Sequence, residues 1–226
     1  MKKENSFKAI AQSLIDRWVL TSADQPATAE SLYAGIVNQL SIKMRLSQID
    51  TRAERPDDWY LRGVRSNGFA TKILNVNLVF ADVRLGDFKD QDYLRHAVIP
   101  RYHEVLSSQQ WHIELVKTKI LGLSLGYDRM ILPQKNRGKP EWLLSLSHGQ
   151  FLLKAPKEHQ TVEIADEAVI QLLIEGCTAK EIAVTLEVSP RTVEHRLEKL
   201  KERYGARNTV HLAAIMVASH VAGGVS

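Results

Sequence analysis

The side chains best suited to holding a charged partner are concentrated between residues 189 and 207. This segment contains six Lys or Arg residues and three Glu residues. Residues 157–226 as a whole carry eight basic and ten acidic residues, so the positive charge is local. Guanidinium, ammonium, imidazole and hydroxyl groups can bind phosphates and base edges, and the major groove of DNA admits an α-helix. These residues therefore predict non-covalent recognition of a nucleic acid, provided that a helix presents them on one side.

A helix is predicted from Pro190 to Tyr204. Ser189 is a favourable N-cap, proline suits the first helical position, and Gly205 suits a left-handed terminator. At about 100° per residue, one narrow apolar stripe is formed by Val193, Leu197, Leu200 and Tyr204. The opposite side holds Arg191, His195 and Glu198, flanked by Thr192, Glu194 and Lys199. The apolar stripe must pack on other helices, which leaves the polar side for a partner.

The residues before this helix predict a second one that it can pack on. Thr178 and Glu181 have the spacing of a capping box, in which each side chain binds the other residue's backbone amide. Further helices are predicted over about 164–175, with Gly176 as the stop, and over about 208–219. Two helices joined by a turn of three or four residues, the second polar at its N-terminal end, form a helix-turn-helix.

Three stretches of this region resemble the DNA-binding domain of LuxR/FixJ-type bacterial transcription factors. Residues 175–183 (EGCTAKEIA), 188–194 (VSPRTVE) and 205–208 (GARN) match the family's motifs at the family's spacing. The match departs from the family in three places. Residues 162–166 (VEIAD) replace its usual Leu-Thr-x-Arg-Glu opening, Glu194 stands where a Lys is common, and Arg196 stands where a His is common.

The resemblance implies a dimer that binds double-stranded DNA through the two helices. The predicted DNA-binding residues are Thr178, Lys180, Ser189, Arg191, Thr192, Val193, Glu194, His195, Arg196 and Lys199. Within this set, contacts to phosphate are expected from Lys180, Ser189 and Lys199. Approach to the bases is expected from Arg191, Thr192, Val193 and His195. Glu194 can accept from a cytosine amino group or weaken phosphate binding, and the role of Arg196 is open. Leu212 and Met216 on the last helix belong to the core or to a dimer interface, and the resemblance favours the interface.

The first 155 residues predict an α+β domain. Helical spacing is expected over 6–20 and over 28–47, where the apolar stripe is Leu32, Ile36, Leu40 and Met44. A strand is expected over 73–83 and a helix over 90–110, kinked or broken at Pro100. Three strands joined by short turns, 111–120, 126–133 and 141–153, predict an antiparallel sheet. The domains are therefore placed at 1–50 (helices that could dimerise), 51–155 (sensor) and 162–226 (helix-turn-helix).

The sensor segment resembles a PAS-type domain. The resemblance is carried by residues 126–133 (GYDRMILP), the turn at Gly138, and residues 141–144 (EWLL). It implies a small pocket for a ligand or cofactor whose identity the sequence leaves unknown. An acyl-homoserine-lactone-binding domain is the alternative, with Trp59, Tyr60 and Trp111 near its pocket. A phosphoreceiver is disfavoured because residues 1–50 are helical, and a blue-light flavin domain lacks its reactive cysteine.

Composition limits the remaining classes. The single cysteine, Cys177, excludes an internal disulfide framework and a Cys-rich zinc site. Neither a signal peptide nor a transmembrane stretch is recognisable, so a soluble cytoplasmic protein is expected. No nucleophile–base pattern, phosphate-binding glycine loop or metal site is recognisable, so the protein is not expected to be an enzyme. The alternative hypotheses are an adaptor that binds another protein and a ligand-binding protein without DNA affinity.

Overall fold

The structure, a computed structural model, describes residues 6–66, 71, 73–74, 79–154 and 164–223. The chain divides into two compact units, and along the sequence the first ends at Leu152. The predicted boundary at 154–161 lies close to this point, although residues 155–163 are outside the described part. The predicted boundary at residue 50 separates no compact unit, because residues 44–50 form a strand of the sheet described next.

The first unit is built on a six-stranded sheet. Its strands are β1 (Met44–Asp50), β2 (Tyr60–Ser66), β3 (Val83–Arg84), β4 (His112–Ile120), β5 (Leu123–Pro133) and β6 (Trp142–Lys154). Their order is β3-β2-β1-β6-β5-β4. β1 pairs antiparallel with β2 and with β6, with Leu46 opposite Arg65 and Leu146. The sheet thus places β1, the first strand, beside β6, the last one.

Helix α1 (Phe7–Val19) covers one face of the sheet. Ser6 caps it by accepting from the Ala9 amide. Its buried residues Ile10, Leu14 and Trp18 pack in one cluster with side chains of β1, β5 and β6, and the Trp18 indole donates to the Pro133 carbonyl at 2.6 Å. The predicted first helix is confirmed, and its apolar face is used inside this unit.

The predicted second helix is mostly wrong. Only α2 (Ala29–Tyr33) is α-helical; a 3₁₀ turn follows at Val37–Gln39 and β1 begins at Met44. Ala34 leaves the helical conformation with ψ 129°, and Gly35 follows with φ +76°, a left-handed conformation that turns the chain away from the helix. The residues of the predicted stripe are nevertheless all buried in the cluster with α1: Leu32, Ile36, Leu40 and Met44. The burial was predicted correctly, whereas the backbone that achieves it was not.

A segmented helix is predicted over 90–110 and is confirmed with an unexpected insertion. It consists of α3 (Gln91–Tyr93), a π-helical turn (Leu94–Val98) and α4 (Ile99–Ser108). Pro100 lies in the first turn of α4, where its missing N–H costs no helical bond. The wider π turn accommodates the proline without interrupting the rod.

The hairpins that join β4, β5 and β6 have clear local causes. Leu121 and Gly122 connect β4 to β5 with φ of +49° and +74°, as a type I′ turn requires. Between β5 and β6, the Asn136 side chain accepts from the Gly138 amide at 3.2 Å, which confirms the predicted turn. β1 and β2 were not predicted as strands. Of the predicted strand 73–83, residues 75–78 lie outside the described residues. Val79 is helical, and β3 begins only at Val83.

The second unit consists of helices. They are α5 (Ile164–Ile174), α6 (Ala179–Thr185), α7 (Pro190–Tyr204) and α8 (Thr209–Gly223). Gly176 and Gly205, at φ +93° and +63°, end α5 and α7 as predicted. None of the helices that the structure describes has the length and apolar character needed to cross a bilayer.

Candidate functional site

The buried face of α7 fixes its orientation in the helical unit. Val193, Leu197 and Leu200 are 0%, 6% and 1% exposed. They share one hydrophobic cluster with Ile182 and Ala183 of α6. Because residues at i, i+4 and i+7 lie on the same side of a helix, packing this stripe turns the opposite side outward.

Helix α6 is held in place by the predicted capping box. The Thr178 amide donates to Glu181 Oε2 at 2.7 Å, and the Glu181 amide donates to Thr178 Oγ1 at 3.3 Å. Hydrogen bonds from the Thr178 backbone, and then from its side chain, lower the pKa of Glu181. The carboxylate form of Glu181 is therefore the one that the native cap stabilises.

A four-residue turn, 186–189, joins α6 to α7. Glu187 takes a left-handed conformation with φ +54°, and the Val188 amide donates to the Ala183 carbonyl at 3.0 Å. Ser189 Oγ then accepts from the Thr192 amide at 3.1 Å and starts α7. These local bonds close one helix and open the next, which is the geometry of a helix-turn-helix.

The turn and the outer side of α7 expose most of the predicted DNA-binding residues. Exposed residues of that set are Thr178, Lys180, Ser189, Arg191, Thr192, Glu194, His195 and Lys199. The hydroxyls of Thr178 and Ser189 are already used as helix caps. Thr192, His195 and Lys199 line a shallow concavity together with Arg203, which the sequence analysis did not select. Arg203 could have been found from its spacing, because it follows Lys199 by one turn of the helix.

Two of the predicted site residues are placed differently from the rest. Val193 has no exposed surface and belongs to the core, so the prediction that it approaches a base is wrong. The same stripe that places Leu197 inside also places Val193 there. Arg196, whose role was open, is half-buried and its Nη1 lies 3.3 Å from Asp166 Oδ1 of α5. Its guanidinium ties α7 to α5.

Residues of the last helix are likewise buried where an interface was expected. Leu212 and Met216 of α8 are 0% and 4% exposed and pack in the same core as Val193. Both are therefore core residues within the helical unit. On the same helix, Val210 and Val217 are exposed.

The first unit contains a second candidate site, a partly open cavity of about 110 Å³ between the sheet and the helical segment 91–108. Apolar side chains, among them Phe80, Leu94 and Val98, form much of its lining. Three tyrosines also line it: Tyr93, Tyr102 and Tyr127. Trp59 is fully buried but does not line this cavity, and Trp111 is exposed. Neither tryptophan therefore lines the cavity, whereas the acyl-homoserine-lactone-binding alternative had predicted that both lie near its pocket.

Hydroxyl groups in this cavity are paired and stay protonated. Tyr93 Oη and Tyr127 Oη are 2.8 Å apart. Burial raises the pKa of Tyr93, of Tyr102 and of Tyr127. All three phenols are therefore neutral hydrogen-bonding groups at physiological pH, able to donate as well as accept.

Comparison with known proteins defines the class of the helical unit. Residues 166–216 match the family described as GerE, bacterial regulatory proteins, luxR family. The carboxyl-terminal helices are thus a luxR-type helix-turn-helix domain, as their motifs predicted. No curated protein matches the chain.

Several solved structures resemble the chain over most of its length. The Vibrio cholera VqmA–ligand–DNA complex is 13% identical, with 79% of this chain and 84% of that chain covered, at a TM-score of 0.34. VqmA bound to DPO is 14% identical, with 80% and 84% covered, at a TM-score of 0.32. Escherichia coli SdiA is 14% identical, with 96% and 99% covered, at a TM-score of 0.26. At these scores, the likeness carries no argument about this chain.

Proposed function

We propose that the protein is a DNA-binding transcriptional regulator of the cytoplasm. Its helix-turn-helix domain binds operator DNA as a dimer, and its first unit senses a signal that modulates this binding. The luxR-type match over 166–216 supports the DNA-binding part. The cavity of the first unit supports the sensing part.

One observation carries the proposal: the amphipathic arrangement of α7. Its apolar stripe is buried against α6, while Arg191, His195 and Lys199 are exposed beyond a capped turn. A helix held in this way fits the major groove with its N-terminal residues toward the bases. The same charges on a helix without a buried stripe would have no fixed direction.

Roles within the interface follow from chemistry and position. Arg191 at the start of α7 is the residue best suited to guanine, because a guanidinium can bind O6 and N7 together. Thr192 and His195 approach neighbouring bases, and Lys199 and Lys180 bind phosphates. Glu194 accepts from the amino group of cytosine, the one base whose major-groove edge offers an isolated donor.

Salt-dependent binding of duplex DNA tests this proposal. Fluorescence anisotropy of the full chain with sheared genomic DNA is measured between 50 and 200 mM salt, a range over which phosphate contacts weaken steeply by about 10³-fold or more. Lys199→Ala is expected to weaken binding to all sequences and to reduce the slope of log K against log salt by about 0.9. Arg191→Ala is expected to lower specific binding with a loss of about 1–3 kcal/mol.

The matched control is Lys89→Ala, which removes one exposed positive charge from the first unit. It should leave both the affinity and the salt slope unchanged. Equal effects of Lys89→Ala and Lys199→Ala would refute the groove assignment. A complex with another protein that is insensitive to salt, together with no DNA affinity, would instead favour the adaptor interpretation.

We assign the first unit as a PAS-like sensor domain that acts through a dimer. An antiparallel sheet with a helical segment across one face and a cavity between them supports it. A dimer can bind two half-sites about 34 Å apart, and a ligand can act only if it stabilises one dimer arrangement more than another. The exposed Val210 and Val217 of α8 are the residues we propose at the dimer contact. Light scattering of the purified chain tests for the dimer.

A further inference from the structure

Cationic side chains line the cavity of the first unit. Its lining includes the cationic side chains of Lys43, Arg45 and Arg129, and no Asp or Glu among the described residues. A cavity built only for an apolar molecule would not hold guanidinium groups, because a buried charge is costly unless it is paired. The lining therefore suggests that an anion completes the site.

Arg129 lines the cavity and is paired with Glu114, a carboxylate that lies outside the lining. Its side chain is 3% exposed, and its Nε and Nη2 both donate to Glu114 Oε1 at 3.0 and 2.6 Å. The other oxygen of Glu114 lies 3.2 Å from Nη2 of Arg101, and Arg101 pairs in addition with Glu104. Within the described part of the chain, no residue accepts from Nη1 of Arg129. The Nη1 group of Arg129, a donor that belongs to a charged side chain, thus remains for a bound molecule.

Arg45 is bound by neutral groups. Its Nε donates to Ser47 Oγ at 3.1 Å and its Nη2 donates to the Phe80 carbonyl. Burial lowers the pKa of Arg45, and the nearby Asp82 opposes this effect. Asp82 is exposed and does not line the cavity. Because arginine stays charged in proteins, its guanidinium adds a second positive charge to the lining.

Hydroxyl donors accompany these charges. In the pair formed by Tyr93 and Tyr127, one hydroxyl donates to the other, and the hydrogen of the second is left for an acceptor. Tyr102, Ser47, Ser145 and Ser147 also line the cavity, and most of the remaining lining is apolar. A dry cavity of about 150 Å³ holds one benzene ring in an engineered protein, so a molecule with a single ring or a short branched chain matches this size.

We propose that this cavity binds a small monocarboxylic acid, with its apolar body against Phe80, Leu94 and Val98 and its carboxylate toward Arg129, Arg45 and the tyrosine hydroxyls. The inference rests on the proposed sensing function and specifies its ligand class. A carboxylate is favoured over a phosphate because the apolar lining leaves room for one compact anionic group.

Calorimetric titration of the full chain at pH 7 tests the ligand class with defined probes. Benzoate and phenylacetate are each compared with the neutral amide of the same shape, benzamide and phenylacetamide. We expect each acid to bind at least about tenfold more tightly than its amide, since hydrogen bonds to a charged group are stronger. Equal affinities of acid and amide, or binding of neither acid, would overturn the proposal.

Variants locate the carboxylate. Arg45→Gln and the double variant Glu114→Gln/Arg129→Gln are each expected to reduce the preference for the acid to about threefold or less. The double variant removes a pair of opposite charges, so the protein keeps its net charge. Arg84→Gln is the matched control, because Arg84 is an exposed arginine paired with Asp58 at the surface. If the preference survives in Arg45→Gln, whose fold is checked by circular dichroism, the assignment is wrong.

The DNA assay separates this inference from the proposed function. Acid-selective binding in a chain that ignores DNA would support the ligand class and refute the regulator. DNA binding without any preference for the acids would support the regulator and refute the ligand class.

Discussion

Arg196 shows how the partner of a side chain decides its role. Arg196 lies on α7 at a position where LuxR/FixJ-type domains commonly have a histidine. Its charge alone would suggest a contact with DNA. The structure instead places Nη1 3.3 Å from Asp166 Oδ1. A guanidinium in this pair contributes little net charge to the surface that we propose for DNA, and it helps to hold α7 against α5.

Removing the partner of Arg196 should release it. We expect Asp166→Asn to lower the free energy of unfolding by less than about 1 kcal/mol, because the pair is partly exposed. The same variant should make the salt dependence of DNA binding steeper by up to about 0.9, since one more cation can reach a phosphate. Urea unfolding and anisotropy measure the two effects. A flat response in Asp166→Asn with a large loss in Arg196→Met would mean that Arg196 already binds DNA.

At the scale of the element, the helix-turn-helix depends on bonds within a few residues. The cap of α6, the left-handed Glu187 and the cap of α7 follow one another over 178–192. Each satisfies backbone groups that a helix end leaves open. The angle between the two helices is thereby set locally, and the core contacts of Val193 then hold it.

The cap of α6 should make the helical unit sensitive to acid. Because its native pKa is lowered, Glu181 stabilises the fold above the ordinary pKa of glutamate, and this contribution is lost as the pH falls through the native pKa. Glu181→Gln should be less stable than the parent at pH 7, and the difference should shrink below about pH 4. Thermal unfolding at several pH values measures it. Glu175→Gln is the control, because Glu175 is exposed and does not cap a helix. A stability difference for Glu181→Gln that does not change with pH would contradict the prediction.

In the β4–β5 hairpin, the backbone of Leu121 is strained, and a substitution can relieve this strain. Leu121 has φ +49° at the first position of a turn that favours Asn-Gly, and it is exposed. Leu121→Asn should therefore stabilise the first unit by about 0.5–1 kcal/mol. Denaturant unfolding followed by tryptophan fluorescence checks this, because the tryptophans of the chain all lie in this unit. A loss of stability would show that the leucine side chain is needed there.

At the scale of the whole molecule, sensing requires a free-energy coupling between ligand and DNA. If an acid changes the affinity for DNA by some factor, DNA must change the affinity for the acid by the same factor. We expect a factor of about 5–150, the usual range of such couplings. Titration of benzoate with and without saturating DNA, beside titration of DNA with and without benzoate, measures both sides. A factor of one on both sides would refute a sensor function for the cavity.

How far the sequence predicts this protein depends on how local the cause is. The helix-turn-helix was predicted almost to the residue, because Thr178, Ser189 and Gly205 act within one turn of chain. The backbone of segment 28–47 was not predicted correctly. The spacing of Leu32 and Ile36 is compatible with a continuous helix and also with an irregular chain that buries both side chains. Ala34 and Gly35 turn the chain out of the helix between these parts of the segment.

The amino-acid sequence by itself determined the helical domain, its caps and most of its exposed polar face. Only the tertiary structure decided that Arg196 is paired with Asp166 and that Arg45 and Arg129 meet at one cavity. The reason is physical. Caps and turns are satisfied by neighbours in the chain, whereas a cavity is made by side chains from separate strands and helices that only folding brings together.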